Sequence, residues 1–267
     1  MAYQEILFES RAAVATLTLN RPDIRNAITG KEIIAEVEDA VGRVNADPDC
    51  RVLIITAVDP SFSAGGNVKD MAEKKGMFAG TPAQVMEGYR ENIQRIPLAV
   101  YGCGVPTIAA VNGPAIGAGC DLSLMCDMRI ASRRAKFGET FVSVGLIPGD
   151  GGAYFLPRVV GMARACELTF TGDVIDAERA LEIGLINYCV GHEELMDKAR
   201  ELAGRIAEKP PEALRMAKRL LYAGQDMTLR HLLDQSAAYQ ALCHHTDDHM
   251  EALNAMFEKR RPGFKGK

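Results

Sequence analysis

The run Val52-Leu53-Ile54-Ile55 is apolar at every position. A strand built there has no face that can meet water, which places it inside a parallel sheet covered by helices on both sides. Other segments agree with such a core. From Ala13 to Leu19, Thr16 and Thr18 alternate with Ala15, Leu17 and Leu19, a strand with one buried face. Thr107 to Val111 and Met128 to Ala131 predict two more strands. Thr29 and Glu32 have capping-box spacing ahead of Ile33, Ile34, Val37, Val41 and Val44, which predicts a capped helix. Thr81-Pro82-Ala83-Gln84 predicts a helix start, with proline at its first position, and that helix is expected to reach Arg95. An apolar helix is expected to end near Met125, and short helices around Ala153, Ala163 and Glu178. From His192 onward every signal is helical. The order predicts an α/β core followed by a helical C-terminal extension, in which the stripe Leu214, Met216, Leu220 and Leu221 packs helices together.

Composition narrows the function classes. The chain has 267 residues, 48% of them apolar and 25% charged, enough for a full core and unlike a disordered or disulfide-built protein. The net charge of −4 supplies no electrostatic drive toward nucleic acid. Seven cysteines, an odd number with no CxxC pair, read as reduced thiols, with Cys120 and Cys126 in the core. No apolar stretch of about 18 residues exists to span a membrane, and residues 1–9 lack a signal-peptide pattern. A cytoplasmic protein is expected. His245 and His249, with His244 beside them, have metal-capable spacing but lack the HExxH glutamate; they read as an exposed helix face, and no metal is expected.

Two glycine-rich segments each follow a buried strand and precede a helix: Phe62-Ser63-Ala64-Gly65-Gly66-Asn67 and Asn112-Gly113-Pro114-Ala115-Ile116-Gly117-Ala118-Gly119-Cys120-Asp121. Such turns present free backbone N–H groups to an anion or a polarised carbonyl, and two donors from different turns form an oxyanion hole. Neither segment has Rossmann or Walker spacing.

Phe62 to Met71, Ile108 to Asp127 and Gly145 to Gly161 resemble, in order, three motifs of the enoyl-CoA hydratase/isomerase (crotonase) superfamily. Leu19-Asn20-Arg21-Pro22 with Asn26-Ala27, and the tail Phe257 to Phe264, resemble its two ends. The resemblance covers essentially the whole chain. It implies a crotonase-like spiral of ββα turns over residues 1–195 carrying an acyl-CoA site, and a helical trimerisation region over 196–267 that forms a homotrimer or a dimer of trimers. It implies an acyl-CoA thioester substrate, coenzyme A as part of that substrate, and no further cofactor. The thioester oxygen would lie between the N–H groups of Gly66 and Ala118. Arg25, Ala27, Ala64 and Lys69 would face CoA, joined by Phe264 and Lys265 from the tail of this chain or of a neighbour. The acyl pocket is expected between Met71 to Tyr89 and the C-terminal helices.

The reaction type rests on carboxylates. Family hydratases use two. One lies three residues beyond the second donor, here Asp121. The other lies four residues before the glycine that opens the third motif, here Phe141, which cannot move a proton. Glu139 and Asp150 stand nearby in sequence, and some superfamily members place a working Asp in or beside the loop that holds Asp150. Asp121 alone could shuttle a proton as an isomerase, and such enolate chemistry is expected ahead of efficient hydration. Asp121 with Glu139 or Asp150 could hydrate an enoyl-CoA. A non-catalytic acyl-CoA-binding relative is the reading from another class.

Overall fold

The computed structural model describes residues 3–267. In chain order the elements begin with β1 (Ile6–Arg11), β2 (Val14–Leu19), α1 (Lys31–Ala46), β3 (Val52–Ala57), α2 (Val68–Ala72), α3 (Pro82–Glu91) and α4 (Arg95–Tyr101). The middle of the chain forms β4 (Thr107–Val111), β5 (Ala115–Ile116), α5 (Ala118–Leu124), β6 (Met128–Ser132), β7 (Lys136–Gly138), α6 (Gly152–Val160), α7 (Met162–Thr171), β8 (Val174–Asp176), α8 (Ala177–Glu182) and β9 (Tyr188–Val190). Four helices follow: α9 (Leu195–Ala207), α10 (Pro211–Ala223), α11 (Leu229–His244) and α12 (Asp247–Glu258).

Six strands form the larger sheet, in the order β1-β2-β3-β4-β6-β9. Only the β1–β2 pair is antiparallel. The apolar run in β3 is divided between two cores, as the two-residue period of a strand requires. Leu53 and Ile55 join the main core with Ile33, Ile34 and Val37 of α1. Val52 and Ile54 face the other way, with Ile108, Ala110 and Ile130, onto Leu195, Ala199, Leu202 and Ala203 of α9. The apolar stripe of α9 therefore seals the far side of the sheet.

Three successive turns give a strand to the larger sheet, a strand or bridge to a small one, and then a helix. β4, β5 and α5 make one turn; β6, β7 and α6 make another. In the turn before them, β3 is followed by Ser63, which bridges to Ala115, and then by α2. This is the ββα spiral that the resemblance implies. It repeatedly brings a strand-to-helix turn to the same edge of the molecule.

Several local expectations fail for identifiable reasons. Thr29 does not cap α1; Gly30 stands at that position, and the Thr29 hydroxyl instead accepts the N–H of Asn67 at 3.1 Å. α3 begins with the full Thr81–Gln84 capping box but stops at Glu91, where the Asn92 side chain donates to the Gly88 carbonyl at 2.8 Å. Leu221 is exposed rather than packed between helices. α11 buries none of its residues. No described helix is long and apolar enough to cross a membrane.

Candidate active site

The two glycine-rich turns touch through their backbones. A β-carbon on Gly65, whose φ is +78°, would lie 2.5 Å from the Ile116 carbonyl oxygen and 2.9 Å from the Ala118 nitrogen. One on Gly119 would lie 2.2 Å from the Ser63 carbonyl oxygen. Glycine is required on both sides for this approach. The N–H groups flanking Gly66 are occupied: Gly65 donates to Ser63 Oγ and Asn67 to Thr29 Oγ1. The Gly66 N–H has no acceptor among the described residues. Ala118 is the first residue of α5, so its N–H has no partner within the helix. Two unengaged donors are thus held on neighbouring turns.

The segment Arg25 to Ile28 runs beside the first turn. Ala64 N donates to the Arg25 carbonyl at 2.9 Å, and Ile28 N to the Gly65 carbonyl at 2.9 Å. Asn26 holds both ends of the connection by donating to the carbonyls of Val58 and Ser61 at 2.8 and 2.7 Å. Arg25, Ala27 and Ala64 therefore lie together, with Lys69 exposed on α2. Phe264 and Lys265 lie elsewhere. The Phe264 carbonyl accepts from Arg51 at 2.7 Å, and Lys265 N donates to Asp248 at 2.7 Å. Arg51 precedes β3 and the glycine turn follows it, so within one chain these contacts lie about 20 Å apart along the strand.

All three candidate carboxylates are buried: Asp121 is 0% exposed, Glu139 1% and Asp150 4%. Asp121 sits in the first turn of α5, Glu139 just after β7, and Asp150 two residues before α6. Neither oxygen of Asp121 or of Glu139 has a hydrogen-bond partner. Burial, then repulsion from Glu139 and Asp150, pushes the Asp121 carboxyl well above the usual carboxylate range. Burial also raises Glu139. Asp150 is pushed up to about 6 by burial and by the charge of Glu139. Buried carboxyls without a counter-charge favour their neutral forms.

Their surroundings differ. Glu139 points into a closed apolar interior beside Cys120, Leu156, Leu168 and Leu185. Asp121 lies against the start of α6, where a β-carbon on Gly152 would approach its Oδ1 to 2.3 Å. Asp150 faces Tyr89 of α3, whose phenol is raised by burial and then by the Asp150 charge. The Phe141 ring comes within 3.7 Å of where a Gly117 β-carbon would stand, so it shields the approach to α5.

A cavity of about 810 Å³ adjoins Asp150 through Gly149 and Tyr89. Its walls come from Lys74, the Phe78 to Arg90 segment and Gln94, together with Leu146, Ile147 and Gly149. The C-terminal helices do not line it. The loop before α6 supplies the facing wall. Tyr89, at the end of the segment expected to line the acyl pocket, does line this cavity. It carries no local signal beyond its position one turn after Val85 and Met86 on an amphipathic helix. The histidine pair that forms is His244 Nδ1 with His249 Nε2 at 3.1 Å, rather than His245 with His249. Among the described residues, no three His, Cys, Asp or Glu side chains are grouped to hold a metal.

Known proteins share this fold. Residues 9–267 match the enoyl-CoA hydratase/isomerase family. The chain is 38% identical over 265 residues to a crotonyl-CoA hydratase of Syntrophomonas wolfei, covering 99% of each. It is 37% identical over 254 residues to an (E)-benzylidenesuccinyl-CoA hydratase of Thauera aromatica, covering 95% of this chain and 96% of that relative. The crystal structure of an enoyl-CoA hydratase from Bacillus anthracis superposes with a TM-score of 0.92 at 34% identity, over 99% of this chain and 100% of that one. The fold is that of the crotonase superfamily, and the chain belongs to the enoyl-CoA hydratase/isomerase family of acyl-CoA enzymes.

Proposed function

We propose that the protein adds water reversibly across the double bond of a 2-enoyl-CoA, with Asp121 and Asp150 as its acid–base pair. The observation that carries this reading is geometric: two buried carboxyls have different surroundings, Asp121 sealed against the start of α6 and Asp150 next to the cavity that Gly149 and Tyr89 line. Asp150, at about 6, is ionised at neutral pH and can accept a proton from water. Asp121, raised by fuller burial and by repulsion from Glu139 and Asp150, is the one of the two assigned to hold a proton and donate it. Divergent environments assign such roles in acid–base pairs. Water oxygen bonds to Cβ, its proton passes to Asp150, and Asp121 protonates Cα. Proton exchange between the two carboxyls restores the starting state. The enolate oxygen formed on the way lies between the N–H groups of Gly66 and Ala118, donors placed where charge develops. Glu139, sealed behind Asp121, acts on Asp121 and not on substrate. Relatives named as hydratases support the choice.

A second reading, double-bond isomerisation by Asp121 alone, is favoured by one observation. Phe141 covers the approach at Gly117 with an apolar ring, which discourages water. Mass spectrometry in heavy water with crotonyl-CoA and a 3-enoyl-CoA separates the two. A product heavier by one water supports hydration. Deuterium uptake with double-bond movement and no added water supports isomerisation. Absence of both changes overturns both readings.

The nucleotide end of CoA would lie along Arg25, Ala27, Ala64 and Lys69, with Phe264 and Lys265 contributed by a neighbouring chain. No cofactor beyond the CoA carried by the substrate enters this scheme. Residues 196–267 would assemble the chain into a homotrimer or a dimer of trimers. Leu229, Leu233, Leu242 and Phe257 are all exposed there, and light scattering of the eluted protein reads that state. A soluble substrate and a non-basic surface fit work in the cytoplasm, without nucleic acid or membrane as partner.

A further inference from the structure

The cavity beside Asp150 is far larger than a four-carbon acyl group needs. Cavities of roughly 300–1,000 Å³ enclose drug-sized ligands, and this one holds about 810 Å³. Its walls are mainly apolar. Phe78 and Tyr89 meet edge to face, with ring centres 6.3 Å apart, while Met86, Leu146 and Ile147 present exposed apolar surface. Lys74, Arg90 and Gln94 also line it, and no acidic side chain does. The inner end is fixed by Tyr89, whose ring edge stands 3.1 Å from the position of a Gly149 β-carbon, directly before Asp150. On the acyl-CoA reading, a chain held with its thioester at the two glycine turns would run past Asp150, which follows Gly149 of the cavity wall, into this space.

We propose that the cavity selects bulky apolar acyl groups, medium-chain or aryl-substituted, over the four-carbon crotonyl group. The inference rests on the acyl-CoA reading above and deepens it. Exposed surface on Met86, Leu146 and Ile147 is what such a group would remove from water. Each methylene fully buried there strengthens binding by up to about fourfold, so a chain six carbons longer has ample room to gain.

The test compares crotonyl-, 2-decenoyl- and cinnamoyl-CoA as substrates, and butanoyl- with decanoyl-CoA as saturated ligands by calorimetry. The expected result is a kcat/KM at least about tenfold higher for decenoyl- or cinnamoyl-CoA, expressed mainly in KM, with decanoyl-CoA bound at least about tenfold tighter than butanoyl-CoA. Met86→Trp, which narrows the cavity, is expected to bring decanoyl affinity down toward the butanoyl value. Equal or better use of crotonyl-CoA, with equal binding of the two saturated ligands, overturns the proposal. No turnover of any substrate, with the chain-length preference intact in binding, overturns the hydratase reading and leaves the cavity's selectivity supported.

Discussion

The carboxylate of Asp121 occupies the space that a side chain on residue 152 would fill: a β-carbon built on Gly152 would stand 2.3 Å from Oδ1 and 2.9 Å from Cγ. The glycine pair at the start of α6 is thus part of what positions this acid. Gly152→Ala is expected to displace the carboxyl and lower kcat by about 10²-fold, the usual cost of a misplacement near 1 Å, while circular dichroism stays native. Asp121→Asn is expected to lower kcat by at least about 10²-fold with acyl-CoA affinity nearly unchanged. Unchanged turnover in either variant would remove the role given to this carboxyl.

The pH profile tests Asp150. A base must be ionised to act, and Asp150 gains its proton as pH falls through about 6. Below that point kcat/KM is expected to fall about tenfold per pH unit. Asp150→Asn should be slow at every pH and lose this acid limb. A limb that persists in the variant would belong to another group.

Phe141 can be interrogated by gain of function. Replacing the ring beside Gly117 with a carboxylate in Phe141→Glu is expected to admit water and a further base. The ratio of hydrated to isomerised product from a 3-enoyl-CoA should rise at least about tenfold. Product analysis by chromatography reads this directly, and an unchanged ratio would show that the ring does not control water.

The two glycine turns are also tied together from behind. Asp59 accepts from Asn112 Nδ2 at 2.9 Å and pairs with His192 Nε2 at 3.1 Å. Asp59 precedes the first turn and Asn112 opens the second. Asp59→Ala removes both contacts and is expected to lower kcat by about tenfold, the equivalent of one lost hydrogen bond of about 1.4 kcal/mol. Asp59→Asn keeps an acceptor for Asn112 and should recover much of that loss. No recovery would indicate that the pairing with His192 carries the effect.

The parts of the fold legible in the sequence were those set by burial along one element. Val52 to Ile55 and the alternation from Ala15 to Leu19 identify their strands because the core decides those residues. β1 is an edge strand with only Ile6 buried, and β5, β7 and β8 span two or three residues each, too short for a period to show. Thr29 has cap spacing but does not cap α1, because its hydroxyl is claimed by Asn67, a neighbour far along the chain. In the site, the glycine motifs announced the two turns, and Asp121, Glu139 and Asp150 could be named from spacing. Their different surroundings could not. Whether a carboxyl faces Cys120 or Tyr89 is decided by how β7 and the loop before α6 fold back on α5, and that is a tertiary fact.

The sealed position of Glu139 beside Cys120, behind an Asp121 that also lacks a partner, reaches beyond the reaction. In the unfolded chain these carboxyls release their protons in the ordinary acid range, whereas in the fold Asp121 holds its proton far above it and Glu139 is raised as well. The folded state therefore binds more protons, and stability falls as pH climbs from the unfolded carboxylate range through the raised native values. Between those two ranges this chain takes up protons from its surroundings as it folds. The heat released on refolding will accordingly vary with the ionisation enthalpy of the buffer that supplies them.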